Sequence, residues 1–234
     1  MVRDFFALSE TGSVRRQNED SYLLDAERGI FGVADGLGGL PHGKEASRQT
    51  LAQMHAALLE APRQSLPDLV ERINLSMMET GFALDGTGFG TTLTLARLAP
   101  DAASAEIVHV GDSTACHCRD DRVAILTMEH TVATRMVAEQ WSAAGEAIPA
   151  SAHHTLTQCI GQEASIEPQM IHLDFKDGDR LFLLTDGATK PLPRGELEQS
   201  LLKSGPLESL CQHLSFRIEA AGSPDNYTVV GLQF

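Results

Sequence analysis

The chain has 234 residues, and 18 Lys plus Arg stand against 32 Asp plus Glu, a formal net charge of −14. That acidic balance argues against nucleic acid or an anionic membrane surface as the main partner, because phosphate binding leaves a basic footprint; it fits a protein that concentrates carboxylates, a metal site being one reason to do so. A 42% hydrophobic and 21% charged composition is that of a globular chain rather than a disordered or collagen-like one, with length for one domain.

Taken in chain order, the first third opens with short apolar runs at 5–9, 21–25 and 30–34, separated by turn chemistry at Thr11-Gly12-Ser13 and Glu27-Arg28-Gly29, and these read as strands. A glycine-rich turn follows Asp35. Apolar residues near 3.6-residue spacing (Ala46, Leu51, Met54, Ala57, Leu58) predict a helix over 44–59. A second helix starts near Pro67, with proline in its first turn, and is expected to end at Gly81 and the glycine cluster of 86–90. Strands are expected at 91–98 and 106–110. Gly111-Asp112-Ser113 reads as a tight hairpin turn into a strand at 114–118, and another strand follows at 123–127. A helix at 131–144 precedes an irregular excursion at 145–168 with two prolines. Strands at 169–174 and 180–185, helices near 195–203 and 206–221, and a last strand at 227–234 complete the pattern. Strands in runs and helices in pairs indicate an α+β layered fold.

No apolar run approaches the roughly 20 residues needed to span a bilayer, and residues 1–4 lack a signal-peptide layout. Cys116, Cys118, Cys159 and Cys211 show no zinc or redox spacing and read as small core residues. The expected location is cytoplasmic.

The informative feature is a set of acidic residues at the ends of apolar strands. Asp35-Gly36 ends the run 30–34, Asp112 follows 107–110, Asp186-Gly187 ends 181–185, Asp225-Asn226 opens the last strand, and Glu19-Asp20 precedes the second. Each Asp-Gly alone is an ordinary turn dipeptide. Together they form rigid arms that hold charge at the edge of a core, and several such arms can converge on a hard divalent cation, which takes oxygen ligands.

In this order the segments resemble a known family, the metal-dependent protein phosphatases of the type 2C (PPM) group in their compact bacterial form. Arg15-Arg16-Gln17-Asn18-Glu19-Asp20 is similar to R-x-x-N-E-D, and Val33-Ala34-Asp35-Gly36-Leu37-Gly38-Gly39 to V-A-D-G-M-G-G. Gly90-Thr91-Thr92 resembles G-T-T, Val110-Gly111-Asp112-Ser113 resembles V-G-D-S-R, and 156–161 resembles L-T-R-A-L-G. Leu183 to Gly187 and Asp225 to Val229 resemble L-L-x-S-D-G-L and D-N-I-T-V.

The resemblance implies a four-layer α-β-β-α sandwich, two antiparallel sheets flanked by helix pairs, as a single catalytic domain over 1–234. It implies hydrolysis of phosphoserine and phosphothreonine in proteins by a hydroxide activated between two Mn²⁺ or Mg²⁺ ions, opposing a bacterial Ser/Thr kinase. By the same resemblance Asp35 bridges the ions, the Gly36 carbonyl and Glu19 serve one, and Asp186 and Asp225 serve the other. Asp112 with Asp186 holds a third, weaker ion. Asp20 and Asn226 support the ligands, and Arg15 holds the substrate phosphate. The expected partners are a phosphorylated protein and its kinase, with no nucleic acid, no membrane insertion and a monomeric state.

The chain departs from the pattern at several positions. Leu37 stands where animal members carry a histidine thought to protonate the leaving group, and leucine has no proton to donate. Thr114 and Gln158 each replace an arginine. Ala188 replaces a leucine or valine, a packing change. His42 and His153-His154 read as solvated loop residues. Residues of about 129–152 correspond to a flap beside the active site; its Trp141, the single tryptophan, either packs the flap onto the body or meets a substrate protein. The alternative function is a catalytically weak or dead homologue that binds phosphoproteins. A sibling phosphatase acting on anti-sigma-factor antagonists shares the same chemistry.

Overall fold

A computed structural model describes residues 2–38, 40, 42–85, 89–141 and 147–234. Among these residues ten strands form two five-stranded sheets. The first contains β1 (Asp4–Glu10), β6 (Thr114–Arg119), β7 (Arg122–Ile125), β9 (Arg180–Leu184) and β10 (Tyr227–Gln233), in the order β1-β10-β9-β6-β7. The second contains β2 (Asp20–Asp25), β3 (Ile30–Asp35), β4 (Leu93–Leu98), β5 (Ser104–Val110) and β8 (Gln169–Asp174), in the order β2-β3-β4-β5-β8. Every paired neighbour is antiparallel. Helices α1 (Gly43–Glu60) and α2 (Leu66–Asp85) cover the second sheet, while α5 (Arg194–Leu201) and α6 (Leu207–Ala220) cover the first. Between them lie α3 (Val132–Ala138) and the one-turn α4 (Asp186–Thr189).

Three apolar clusters account for the four layers. Phe31, Val33, Ile107, Leu181, Leu183 and Val230 interdigitate between the sheets. Leu51, Met54, Leu69, Met77, Leu95 and Val108 join the first helix pair to its sheet. Phe182, Leu184, Leu210, Leu214 and Tyr227 do the same on the other side, with Cys116, Cys118 and Cys211 among them. All four cysteines are buried and free, and burial pushes each thiol up to about 12, as their reading as core residues expects. Strands buried on both faces, such as β3 and β9, are near-continuous apolar runs, because each sheet is covered on one side by helices and on the other by its partner sheet.

Three expectations are corrected, and one element was missed. Helix α2 runs through Gly81 to Asp85: a Cβ at position 81 would lie 2.4 Å from Phe89 Cδ1, so this glycine makes room for an aromatic ring instead of ending the helix. Gly111-Asp112-Ser113 is not a hairpin turn, since β5 and β6 lie in different sheets and the segment crosses between them. The helix expected at 131–144 ends at Ala138, and residues 142–144 of that expectation lie outside the described ones. Helix α4 was hidden behind the strand that precedes it.

Far from the strand ends that carry Asp35 and Asp186, Asp179 is 2% exposed and bonded to His117 Nε2 (2.9 Å), Arg119 Nη2 (2.6 Å) and the Lys176 amide (2.8 Å). Burial opposes its charge, but these donors prevail and hold its carboxyl down at about 2 against an ordinary 3.8. A displacement of that size is linked to about 2.5 kcal/mol of stability. The folded value lies below the unfolded one, so the contribution is present above the unfolded pKa and disappears as pH falls from about 4 to 2. Asp179→Asn is therefore expected to lower the urea-unfolding free energy by about 2–3 kcal/mol at neutral pH, with the gap closing near pH 2. A gap that persists in acid would sink this account.

Candidate metal centre

The predicted carboxylates gather at one end of the sandwich, for reasons of register. Asp20 opens β2 and Asp35 ends β3, and the two are direct partners across the strands. Asp112 follows the end of β5, Asp186 follows β9, and Asp225 precedes β10, which runs antiparallel to β9.

The turn chemistry of the motifs locks this arrangement. The Asp35 amide donates to Thr92 Oγ1 (3.0 Å), and its carbonyl accepts from the Thr92 amide (2.9 Å) and Thr91 Oγ1 (2.8 Å). Thr92 Oγ1 also meets Ser113 Oγ at 2.8 Å, which couples the Asp35 arm to the Asp112 arm. Gly111 adopts φ +109°, and a Cβ there would lie 2.6 Å from Thr92 Cγ2, so only glycine permits the close approach. Asn226 accepts from the Glu19 amide (2.9 Å) and donates to the carbonyls of Thr11 (2.7 Å) and Gln17 (3.0 Å); it pins the loop that carries Arg15 and Glu19. Ser47 Oγ donates to the Glu19 carbonyl (2.6 Å), and Gly36 N donates to the same oxygen (3.2 Å).

Asp20 and Asp112 are buried, and Glu19, Asp35, Asp186 and Asp225 half-buried. Burial pushes the Asp20 carboxyl up to about 7, against hydrogen bonds from Thr228 Oγ1 (2.7 Å) and Thr185 Oγ1 (2.8 Å). Both hydroxyls bond Oδ2, while Oδ1 is buried with no partner among the described residues. Burial and then the charges of Asp20, Asp186 and Asp112 hold Asp35 well above the usual carboxylate range. Asp112 is raised by burial and by Asp186, with Lys190 opposing. Glu19 is raised by burial.

Two cations stand among these groups. Arg15 Nη2 donates to Asp225 Oδ2 at 2.7 Å, its side chain 43% exposed. The guanidinium also lies against Gly38, where a Cβ would be 2.9 Å from Nη1. Lys190 Nζ donates to Asp112 Oδ2 (2.7 Å) and Asp186 Oδ2 (2.8 Å). Sequence reasoning missed Lys190; the one available sign was its place four residues after Asp186, on the same helix face. With these cations in place, no three His, Cys, Asp or Glu side chains among the described residues close into a ready metal cage. The donor set still suits a hard divalent cation: it is all oxygen, it includes the orphaned Asp20 Oδ1, and like charges press on Asp35.

Leu37 is anchored by its amide to the Gly90 carbonyl (2.9 Å), and its Cδ1 lies where a Cβ on Gly90 would fall, 2.8 Å away. His42, His153 and His154 are exposed. Trp141 is 52% exposed. Among the described residues no helix is long and apolar enough to cross a membrane.

The sequence model described as Protein phosphatase 2C matches residues 13–219. The chain is 28% identical to the serine/threonine protein phosphatase PstP of Mycobacterium tuberculosis over 98% of its own length, and it spans 45% of that relative. It is 27% identical to the protein phosphatase PhpP of Streptococcus pneumoniae, covering 95% of this chain and 94% of the relative. Among solved structures, the PPM Ser-Thr phosphatase MsPP from Mycobacterium smegmatis, in complex with cacodylate, superposes with a TM-score of 0.85 at 28% identity, covering 100% of this chain and 99% of that one. The catalytic domain of PstP with two manganese ions gives 0.82 at 26% identity, covering 98% and 97%.

Proposed function

The chain belongs to the protein phosphatase 2C family, and from that premise we propose that it hydrolyses phosphoserine and phosphothreonine in proteins at a centre of two Mn²⁺ or Mg²⁺ ions. The observation that carries this reading is the gathering of Asp20, Asp35, Asp112 and Asp186 at one end of the sandwich, with Asp35 held above its usual range by burial and by the charges of the other three. A carboxylate cluster of this kind is costly to keep without a compensating cation. The two manganese ions of the PstP catalytic domain agree with the donor chemistry.

Asp35, the Gly36 carbonyl and Glu19 would hold one ion, and Asp186 and Asp225 the other. Bound there, the pair would supply charge compensation and Lewis acidity toward water and phosphate.

The chain's own side chains supply the rest. Arg15, at the mouth, presents a planar fork of donors suited to two equatorial phosphate oxygens, and its bond to Asp225 fixes the plane of that fork. Asp20 spends Oδ2 on two threonine hydroxyls and keeps Oδ1 to accept a hydrogen bond from water at the centre. Leu37 offers the leaving oxygen no proton. Substrates would be phosphorylated proteins, and the reaction would reverse the product of a Ser/Thr kinase.

The test is hydrolysis of p-nitrophenyl phosphate and a phosphothreonine peptide in Mn²⁺, in Mg²⁺ and in EDTA. Turnover is expected with either ion and its loss with EDTA. A folded protein that binds Mn²⁺ but turns over neither substrate overturns the reading in favour of a phosphoprotein-binding homologue.

A further inference from the structure

Lys190 is the one cation bonded to two members of the acidic cluster among the described residues, and the fold builds its position. Asp186 opens α4 and Lys190 directly follows that helix, so the two side chains stack at i, i+4. The crossing at Gly111 brings Asp112 to the same ammonium. The groups facing Nζ are Asp112 Oδ2 at 2.7 Å, Asp186 Oδ2 at 2.8 Å and the exposed His154 Nδ1 at 3.5 Å, with Glu129 close enough to be felt electrostatically. The Lys190 side chain is 23% exposed and that of Asp112 7%. The short, partly desolvated contacts are those of a fixed counter-ion, not of a surface pair that exchanges with water.

Resting on the two-ion reading above, we propose that Lys190 is a built-in cation that occupies the Oδ2 atoms of Asp112 and Asp186, leaving Asp186 Oδ1 to the second ion, and so limits this protein to two metal ions where the resemblance implies a third. The physical case is one of exclusion. An ammonium and a divalent cation cannot share the same two carboxylate oxygens. The ammonium is covalently tethered, so it competes at a fixed high effective concentration, whatever the free metal. Asp112 then acts as the partner of Lys190 and not as a metal ligand. Removing the ammonium leaves two carboxylates partly buried and uncompensated, which is costly, and a free cation would relieve that cost.

The experiment counts Mn²⁺ per chain by equilibrium dialysis with metal analysis at saturating free Mn²⁺, with thermal melts to confirm folding. Wild type is expected to bind two ions, and Lys190→Met three. Adding Asp112→Asn to Lys190→Met should return the count to two, and Lys190→Arg should keep it at two. Lys190→Ala carries the same expectation as Lys190→Met if the longer side chain does not fold. Three ions in wild type, or no gain in the folded Lys190→Met or Lys190→Ala protein, overturns the inference while leaving the two-ion reading intact. Fewer than two ions in wild type overturns the two-ion reading, and the inference with it.

Discussion

Asp35→Asn is expected to lower Mn²⁺-dependent turnover by on the order of 10³-fold, the scale on which removing one strong electrostatic contact to a reacting centre acts. The same change should leave the metal-free protein at least as stable as wild type. Burial and three neighbouring carboxylates oppose a charge on Asp35, and an amide of the same shape carries none. An amide is a poorer ligand than a carboxylate for a hard cation. Saturating Mn²⁺ at about 100 times its dissociation constant stabilises a binding protein by about 2.7 kcal/mol, which in a domain of this size raises Tm by about 5–11 °C. That rise should be present in wild type and largely absent in Asp35→Asn. A variant that loses activity, yet melts lower without metal and still shows the full Mn²⁺ shift, would make Asp35 a structural residue.

Gly187→Ala is expected to destabilise the protein by about 3 kcal/mol, at the upper end of what overpacking costs, and to weaken Mn²⁺ binding as well. A Cβ at position 187 would lie 1.9 Å from the Asn226 carbonyl oxygen and 2.9 Å from its carbon. Both are backbone atoms, so no side chain can rotate away. The start of α4 and the Asp225-Asn226 segment would have to separate, and with them Asp186 and Asp225. Asn226 also holds the Glu19 amide and the loop carrying Arg15, so the displacement reaches both sides of the site. Thermal melts with and without Mn²⁺ check this: a Tm within a degree or so of wild type, with an undiminished metal shift, contradicts it.

Much of the site was legible because its information is local. The carboxylates sit at the ends of short apolar runs, Asp20, Asp35, Asp112 and Asp186 beside a glycine or a small hydroxyl residue, and strand ends are where a core stops and solvent begins. Glu19, Asp20, Asp35, Asp112, Asp186 and Asp225 could all be named for that reason. The threonines read as strand residues at 91–98 proved to be the clasp on Asp35, and Thr185 with Thr228 the clasp on Asp20.

The misreadings share one cause. Gly-Asp-Ser between two apolar runs has the composition of a hairpin turn, but whether the flanking strands pair depends on which sheet each joins. Gly81 has the composition of a helix stop, but Phe89, eight residues on, needs its space. Neither partner can be read from a local window.

The sequence by itself determined the layered α+β class and the placing of the carboxylates at strand ends, because strand and helix periodicity and the residues at strand ends are written in short stretches. Only the tertiary structure decided which charges meet. Asp112 and Lys190 are 78 residues apart and Arg15 and Asp225 are 210 apart. They come together because β5 delivers its end across to the other sheet and because β10 returns the chain beside β1. Pairing between strands distant in sequence sets those encounters, and with them which carboxylates are left for a metal.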